Sequence, residues 1–451
     1  MKFLYTLIAF LFCFVIYAQQ PFVTTWEVTA GDLDILIPTN TDDYTYDYTV
    51  DFGDGTVFTN QTDDVSHTYS SPGVYSVSIT GVFSHFNGIE LYDYPTSFDI
   101  TYKLLSVEEW GDIQWETMVS AFAGCSNLTI NATDTPDLSN VTDMSYMFKN
   151  ADSVNSSTIN NWDVSNIINM QSLFEATSNF NQPLENWDVS NVTNMSQMFE
   201  DSNFNQPLEN WDVSNVTDMS RMFYNADSFN QPLDNWDVSN VTSMYWMFYA
   251  SAYNQPLNSW DVSNVTNMNT MFRDSNFDQP LNDWDVSNVT NMYWMFYASA
   301  YNQPLNSWDV SNVTDMQEMF KYSSFNQPLN NWDVSNVIDM SYFFRGASSF
   351  NQPLNNWDVS SVTSMHNMFQ DASSFNQPLD NWDVSNVTSM INMFLGANSF
   401  NQPLNNWDVS NVTNMVGMFR DTNFNQPINN WDVSNVTDMS LMFIDTNFNQ
   451  P

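Results

Sequence analysis

Apolar residues in this chain fall into a pattern that recurs every 24 to 25 residues from about residue 110 onward. In the unit Phe204 to Phe223 the apolar positions are Leu208, Trp211, Val213, Val216, Met219, Met222 and Phe223. The stretch Leu208-x-x-Trp211-x-Val213 alternates at its end, as a strand with one inward face does, and this turns Asp212 outward. From Val216 to Phe223 the spacing becomes three and four, which predicts a short amphipathic helix. The residue three beyond the phenylalanine is small in successive copies, among them Ala151, Ser202, Ala226 and Thr422. A crowded, buried position one helical turn on would require such residues. Asn-Gln-Pro after the next phenylalanine supplies a turn, since proline fixes φ and lacks a donor.

A strand, a helix and a return in the same direction require parallel strands, one per repeat. Copies of Trp-Asp-Val-Ser begin at Trp162 and run to Trp431, never more than 25 residues apart. Counting Met-x-x-x-Phe from Met118 to Phe443 gives about fourteen coils. A fixed period of this length predicts a solenoid in which no coil is stable without its neighbours. The expected fold over residues 105–451 is therefore an α/β repeat solenoid, with one short parallel strand and one short helix per 24–25 residues. The chain stops at Phe448-Asn-Gln-Pro451, halfway through a unit, which predicts that further sequence follows.

Residues 22–104 lack the repeat and carry alternating segments such as Tyr44 to Val50, with turn signals at Gly53-Asp54-Gly55 and Pro72-Gly73. They predict a small β-sandwich, placed at 19–104. Ahead of it, Met1-Lys2, the apolar run Phe3 to Tyr17 and Ala18-Gln19-Gln20 read as a signal peptide over 1–18, cleaved after Ala18. The bulky neighbours of Cys13 argue against a lipid-anchored cysteine. No other stretch is apolar and long enough for a membrane helix.

The order Leu-x-x-Trp-x-Val is similar to the Leu-x-x-Leu-x-Leu strand of leucine-rich repeats, with Asn215 one place earlier than the buried asparagine of that family. More closely, Trp-Asp-Val-Ser-Asn-Val-Thr-Asn-Met-x-x-Met-Phe resembles the BspA-like leucine-rich-repeat surface proteins of bacteria. That resemblance covers about three quarters of the chain. It implies a secreted or surface-displayed binding protein, an adhesin, with no catalytic residues to carry over. Val50 to Thr56 and His67 to Val77 resemble the polycystic-kidney-disease-type (PKD) domain, with Val50 where that family often has an aromatic residue. This second resemblance implies an immunoglobulin-like spacer or weak binding module of an extracellular protein.

Fifty-two acidic residues against eight basic ones give a net charge of −44, which excludes nucleic acid and anionic lipid as partners. Lys149, Arg273, Lys321, Arg345 and Arg420 directly follow the phenylalanine of the predicted helix and Arg221 lies just before it, where cations would complement a helix dipole. His366 is the one histidine of the array, and no phosphate loop, zinc spacing or EF-hand loop occurs, so no enzyme is expected. Cys125 occupies the small-residue position, as a core filler would. The column Asp137 to Asp432 would repel itself. Hydrogen bonds from backbone N–H groups and solvation would offset this, and the alternative is Ca²⁺ held between coils; no other cofactor is expected. The tryptophan column shares a face with leucine and valine, which predicts burial.

Variation among the copies is concentrated in the Met-x-x-x-Phe stretch. A 100° step per residue places Trp246 and Tyr249 together on the solvent side, and Trp294 and Tyr297 repeat the pair two coils on. These four residues are the candidate ligand contacts. The expected function is a non-enzymatic, secreted or cell-surface interaction protein of adhesin type, bacterial, that presents a multivalent surface to an extracellular protein. The alternatives are a glycan-binding module using exposed aromatics and a purely structural stalk.

Overall fold

The computed structural model describes residues 19–88 and 101–450. The expected signal peptide and Cys13 lie outside the described residues. Eight strands run in chain order: β1 (Phe22–Val28), β2 (Asp34–Ile37), β3 (Tyr46–Asp51), β4 (Val57–Gln61), β5 (Val65–Thr68), β6 (Gly73–Phe83), β7 (Leu104–Glu109) and β8 (Thr129–Ile130). One sheet has the order β4-β3-β6-β1-β7-β8, and β2 pairs with β5 in a second. The alternation read from the sequence places Phe22, Trp26, Val28, Tyr46, Tyr48 and Val50 inside, as a sheet with one buried face requires. The Gly53-Asp54-Gly55 turn takes positive φ at both glycines, and Asp51 Oδ1 and Asp54 Oδ1 accept the N–H groups of Gly53 and Thr56.

Strand β7 pairs antiparallel with β1 and parallel with β8, so the sandwich sheet passes into the first coil without a linker. Phe22 meets Trp115 at 5.2 Å between ring centroids, and Phe86 meets Phe122 at 5.5 Å. One end of the array is thus covered by the sandwich.

The α/β expectation is overturned in the array. No α-helix occurs among the described residues, and the one helical element is a five-residue 3₁₀ turn at Ser157–Asn161. The segment Met195 to Ser202 explains the difference. Met195, Gln197, Phe199 and Asp201 donate to the carbonyls of Asp218, Ser220, Met222 and Tyr224 in the next coil at 2.9–3.1 Å. The residues between them bond backwards by three positions: Met198 to Met195, Glu200 to Gln197 and Ser202 to Phe199. Gln197 and Asp201 reach this path through left-handed φ of 61° and 55°. Two successive tight turns bury positions three and four apart, so their apolar spacing is that of a helix. They leave alternate N–H groups free for the neighbouring coil. An eight-residue stretch would gain little as an isolated helix, whereas this coil gains four inter-coil bonds.

The strand expected over Leu-x-x-Trp-x-Val is also absent. Parallel pairing occurs instead one residue per coil, through Asn169, Asn194, Asp218, Ser243 and their counterparts. Trp-Asp-Val is positioned by side chains. Tryptophan is buried, as expected, and its Nε1 donates to the leucine carbonyl one coil back, for example Trp284 to Leu257 at 2.9 Å. The asparagine after serine donates likewise to the previous serine carbonyl, Asn215 Nδ2 to Ser190 at 2.7 Å. In Asn-Gln-Pro, Asn205 N donates to Asn181 Oδ1 at 2.9 Å. Three ring ladders fill the core between these polar rails, with Trp260 and Trp284 at 6.4 Å, Phe223 and Phe248 at 5.8 Å and Phe204 and Phe229 at 6.3 Å. The small-residue column is buried, Cys125 included, because it caps each pair of turns.

An aromatic and cationic band on the array

Two columns of the double turn reach the surface in most coils, half-buried, with Thr270 buried: the second residue after the first methionine and the residue after the phenylalanine. They carry Arg221 and Tyr224, Trp246 and Tyr249, Thr270 and Arg273, Trp294 and Tyr297, Glu318 and Lys321, and Tyr342 and Arg345 in successive coils. The core and rail positions hardly change over the same coils. Because the coils stack in register, these side chains form one continuous band.

The band brings the four expected contact residues together but does not leave them exposed. Trp246, Tyr249, Trp294 and Tyr297 are half-buried, since the backbone at Trp246 and Trp294 takes left-handed φ of 61° and 58° rather than a helical path. Trp246 lies 5.2 Å from Tyr249 and 5.5 Å from Tyr224, with planes within 28°. Arg273 covers the rings of Trp294 and Tyr297 at 4.1 and 4.4 Å, and Tyr293 stacks on Trp294 at 4.5 Å. Cations and neighbouring rings therefore occupy the aromatic faces. Edges and hydroxyls remain for a partner, with Tyr245 and Tyr322 the most open at 36% and 46% exposure.

The cations do not serve α-helix termini, since no α-helix occurs among the described residues; all but Arg345 pair with acids, and Arg345 lies over rings. Arg221 meets Glu200 at 2.5 Å, Lys321 meets Glu318 at 2.6 Å, and Arg273 meets Asp274 at 3.0 Å. Glu200 is buried, and this desolvation pushes its carboxyl above the usual range against the opposing bond from Gln197 and the charge of Arg221. Burial likewise pushes the Tyr293 phenol up to about 12. His366 stands 5.1 Å from Tyr342, and burial lowers its pKa, opposed by Asp339 and reinforced by Arg345. The sequence reading treated these cations one at a time and missed the band. Its signal was available in the register: cations and aromatics alternate within the same two columns.

The aspartate column is explained without a metal. Every carboxylate from Asp137 to Asp432 accepts the N–H of the serine two residues on, at 3.0–3.1 Å, as in Asp212 to Ser214 and Asp285 to Ser287. The serine hydroxyl and then that N–H hold Asp188, Asp237, Asp309 and Asp358 below the usual carboxylate range. Among the described residues no three His, Cys, Asp or Glu side chains group as metal ligands.

Stacked coils with rail-like side-chain bonds, led by a small β-sandwich, define an extended repeat protein that carries this band among its variable positions. The chain belongs to the family described as "Mycoplasma protein of unknown function, DUF285", which it matches over 116–234, 202–301, 231–324, 298–394 and 377–451. Residues 24–81 match the PKD domain, in agreement with the motif reading of the sandwich. These matches name that family rather than the leucine-rich repeats. PKD domains are typical of extracellular proteins, and among the described residues no helix is long and apolar enough to cross a membrane. No curated protein and no solved structure matches the chain.

Proposed function

We propose that this is a non-enzymatic, secreted or cell-surface interaction protein of adhesin type, and that the band from Arg221 to Arg345 meets an extracellular protein partner. One observation carries this reading. Where the copies of an otherwise uniform repeat differ, they collect tryptophan, tyrosine and arginine in two adjacent columns, the residue types that dominate interface hot spots. The PKD match favours an extracellular setting. The covered ring faces favour a protein over a glycan, because a sugar stacks on an open face.

The test uses the full chain and a Tyr245→Ser/Tyr322→Ser variant, immobilised and offered a defined set of extracellular matrix and cell-surface proteins, with a glycan array in parallel. Saturable binding of a protein, weakened at least about tenfold in the variant while its circular dichroism is unchanged, is the expected result; an average hot-spot loss for two residues is of that order. Binding on the glycan array alone, or protein binding that the variant leaves intact, would overturn the assignment.

A further inference from the structure

Arg345 differs from every other described cation. Lys103, Lys149, Arg221, Arg273, Lys321 and Arg420 each have a carboxylate partner at 2.5–3.2 Å. Among the described residues the Arg345 guanidinium alone of the cations has no ion pair, and its Nε, like those of Arg221 and Arg420, is buried without a hydrogen-bond partner. The register gives the reason. Arg273 and Arg420 are each followed by the aspartate that pairs with them, Asp274 and Asp421. Arg345 is followed by Gly346, whose φ is +68°, and a Cβ there would fall within 2.3 Å of the Tyr322 ring. The carboxylate of the other arginine copies has thus been replaced by bare backbone, and the Tyr322 ring fills the space it leaves.

The guanidinium sits 5.7 and 5.6 Å from the ring centroids of Tyr322 and Tyr342, half-buried beside them. Lys321 lies 5.5 and 4.8 Å from the same rings, and its own charge is engaged by Glu318. A guanidinium held in this way is short of an anion, and its planar fork matches a carboxylate with two parallel bonds. The net charge of −44 disfavours sulfate or phosphate, which bring two charges, over a single carboxylate. Because Gly346 and the two cations crowd the Tyr322 ring, a sugar has little face to stack on there.

We propose that Arg345, flanked by Tyr322 and Tyr342, receives one aspartate or glutamate side chain of a protein partner. This inference rests on the reading of the band as a protein-binding surface and names the chemistry of one contact within it.

The chain contains four arginines, Arg221, Arg273, Arg345 and Arg420, so the arginine Nε–Hε region of a nitrogen-15 spectrum of the full protein can be assigned by Arg345→Gln alone for the resonance of interest. The probes are a blocked peptide with one glutamate between uncharged residues, its glutamine counterpart, and methyl glucuronide. The glutamate peptide should shift the Arg345 resonance saturably, with a Kd on the order of 1–10 mM for one charge-assisted fork. The glutamine peptide should not. Arg345→Gln should weaken binding at least about tenfold with unchanged circular dichroism, and Arg345→Lys, which keeps the charge without the fork, should fall between. Equal shifts from both peptides, a shift at another arginine in place of Arg345, or no saturable shift would overturn the site. Tighter binding of methyl glucuronide than of the glutamate peptide would overturn the protein source of the carboxylate. If Arg345 binds the peptide while no extracellular protein is captured, the proposed function fails and the site stands. Capture that Arg345→Gln leaves unchanged fails the site and spares the function.

Discussion

Tyr253 and Tyr301 stand in a ring ladder that is otherwise phenylalanine. Tyr253 is stacked between Phe229 and Phe277 at 6.1 and 6.3 Å, and Tyr301 between Phe277 and Phe325 at 6.2 and 6.4 Å. Both rings are fully buried, and neither hydroxyl makes a hydrogen bond of regular geometry, the nearest backbone groups being those of Leu233 and Leu281. A buried, unpaired hydroxyl costs about 1–3 kcal/mol, and the small void left by its oxygen offsets part of the gain from removing it. Tyr253→Phe and Tyr301→Phe should each stabilise the protein by about 1 kcal/mol, and they should add, because a full coil separates them. Unfolding entropy near 2.1 cal/mol/K per residue over roughly 330 residues gives about 0.7 kcal/mol/K, so the double variant should melt about 3 °C higher. Burial also raises both phenol pKa values well above 10. A raised folded-state value means stability that is complete below the unfolded-state pKa and is lost as pH rises through it. The advantage of the double variant in thermal melts followed by circular dichroism should therefore widen above about pH 10. An unchanged or lower Tm, or a gap that stays constant from pH 8 to 11, would refute the unpaired-hydroxyl argument.

The lowered carboxyls of Asp188, Asp237, Asp309 and Asp358 contribute stability that is present above the ordinary aspartate range and is lost as pH falls through it. Melting temperature should decline below about pH 4, and Asp237→Ala/Asp309→Ala should flatten that decline. Gly346→Ala should destabilise by about 1–2 kcal/mol from its left-handed φ, with a further loss from contact with Tyr322 that Tyr322→Ala restores. Calcium at millimolar concentration and a chelator at equal ionic strength should give the same Tm, since the aspartates are already held by serine N–H groups; a rise with calcium would restore the cation reading.

The period, the buried face and the role of most columns could be read from the sequence, because burial depends on which residues are apolar and at what spacing. Trp260, Val262, Met268 and Phe272 are inside as expected. Helix and double turn could not be told apart by that spacing, because bonds back by three residues also bring positions three and four apart to one side. A discriminating signal lay in the last residue of each double turn. Asn150, Asp201, Asn225, Asp274, Gly346, Asp371, Gly396 and Asp421 share that register and take positive φ, the preference of glycine, asparagine and aspartate for left-handed backbone, while Ala176, Ala250, Ala298 and Tyr322 take it in the same register without that mark. Trp246 and Trp294 carry no such mark, since a tryptophan there is held by the ladder around it. The four candidate residues therefore lie beside one another in pairs, half-buried and not open to solvent. Arg345 was visible only by contrast, as an arginine followed by glycine where Arg273 and Arg420 are followed by aspartate.

The central claim is that the band, and not another face, meets a partner. The direct measurement is site-specific photocrosslinking in the full chain, with the reactive side chain at Tyr245 or Tyr322, the open residues next to Trp246 and Lys321 of the band, and at Asp285 or Asn264 on the aspartate and asparagine columns. Each derivative would be exposed to the same extracellular proteins. A common crosslinked protein is expected at Tyr245 and Tyr322 and none at Asp285 or Asn264. The same protein crosslinked from Asp285 or Asn264 and not from the band would contradict it.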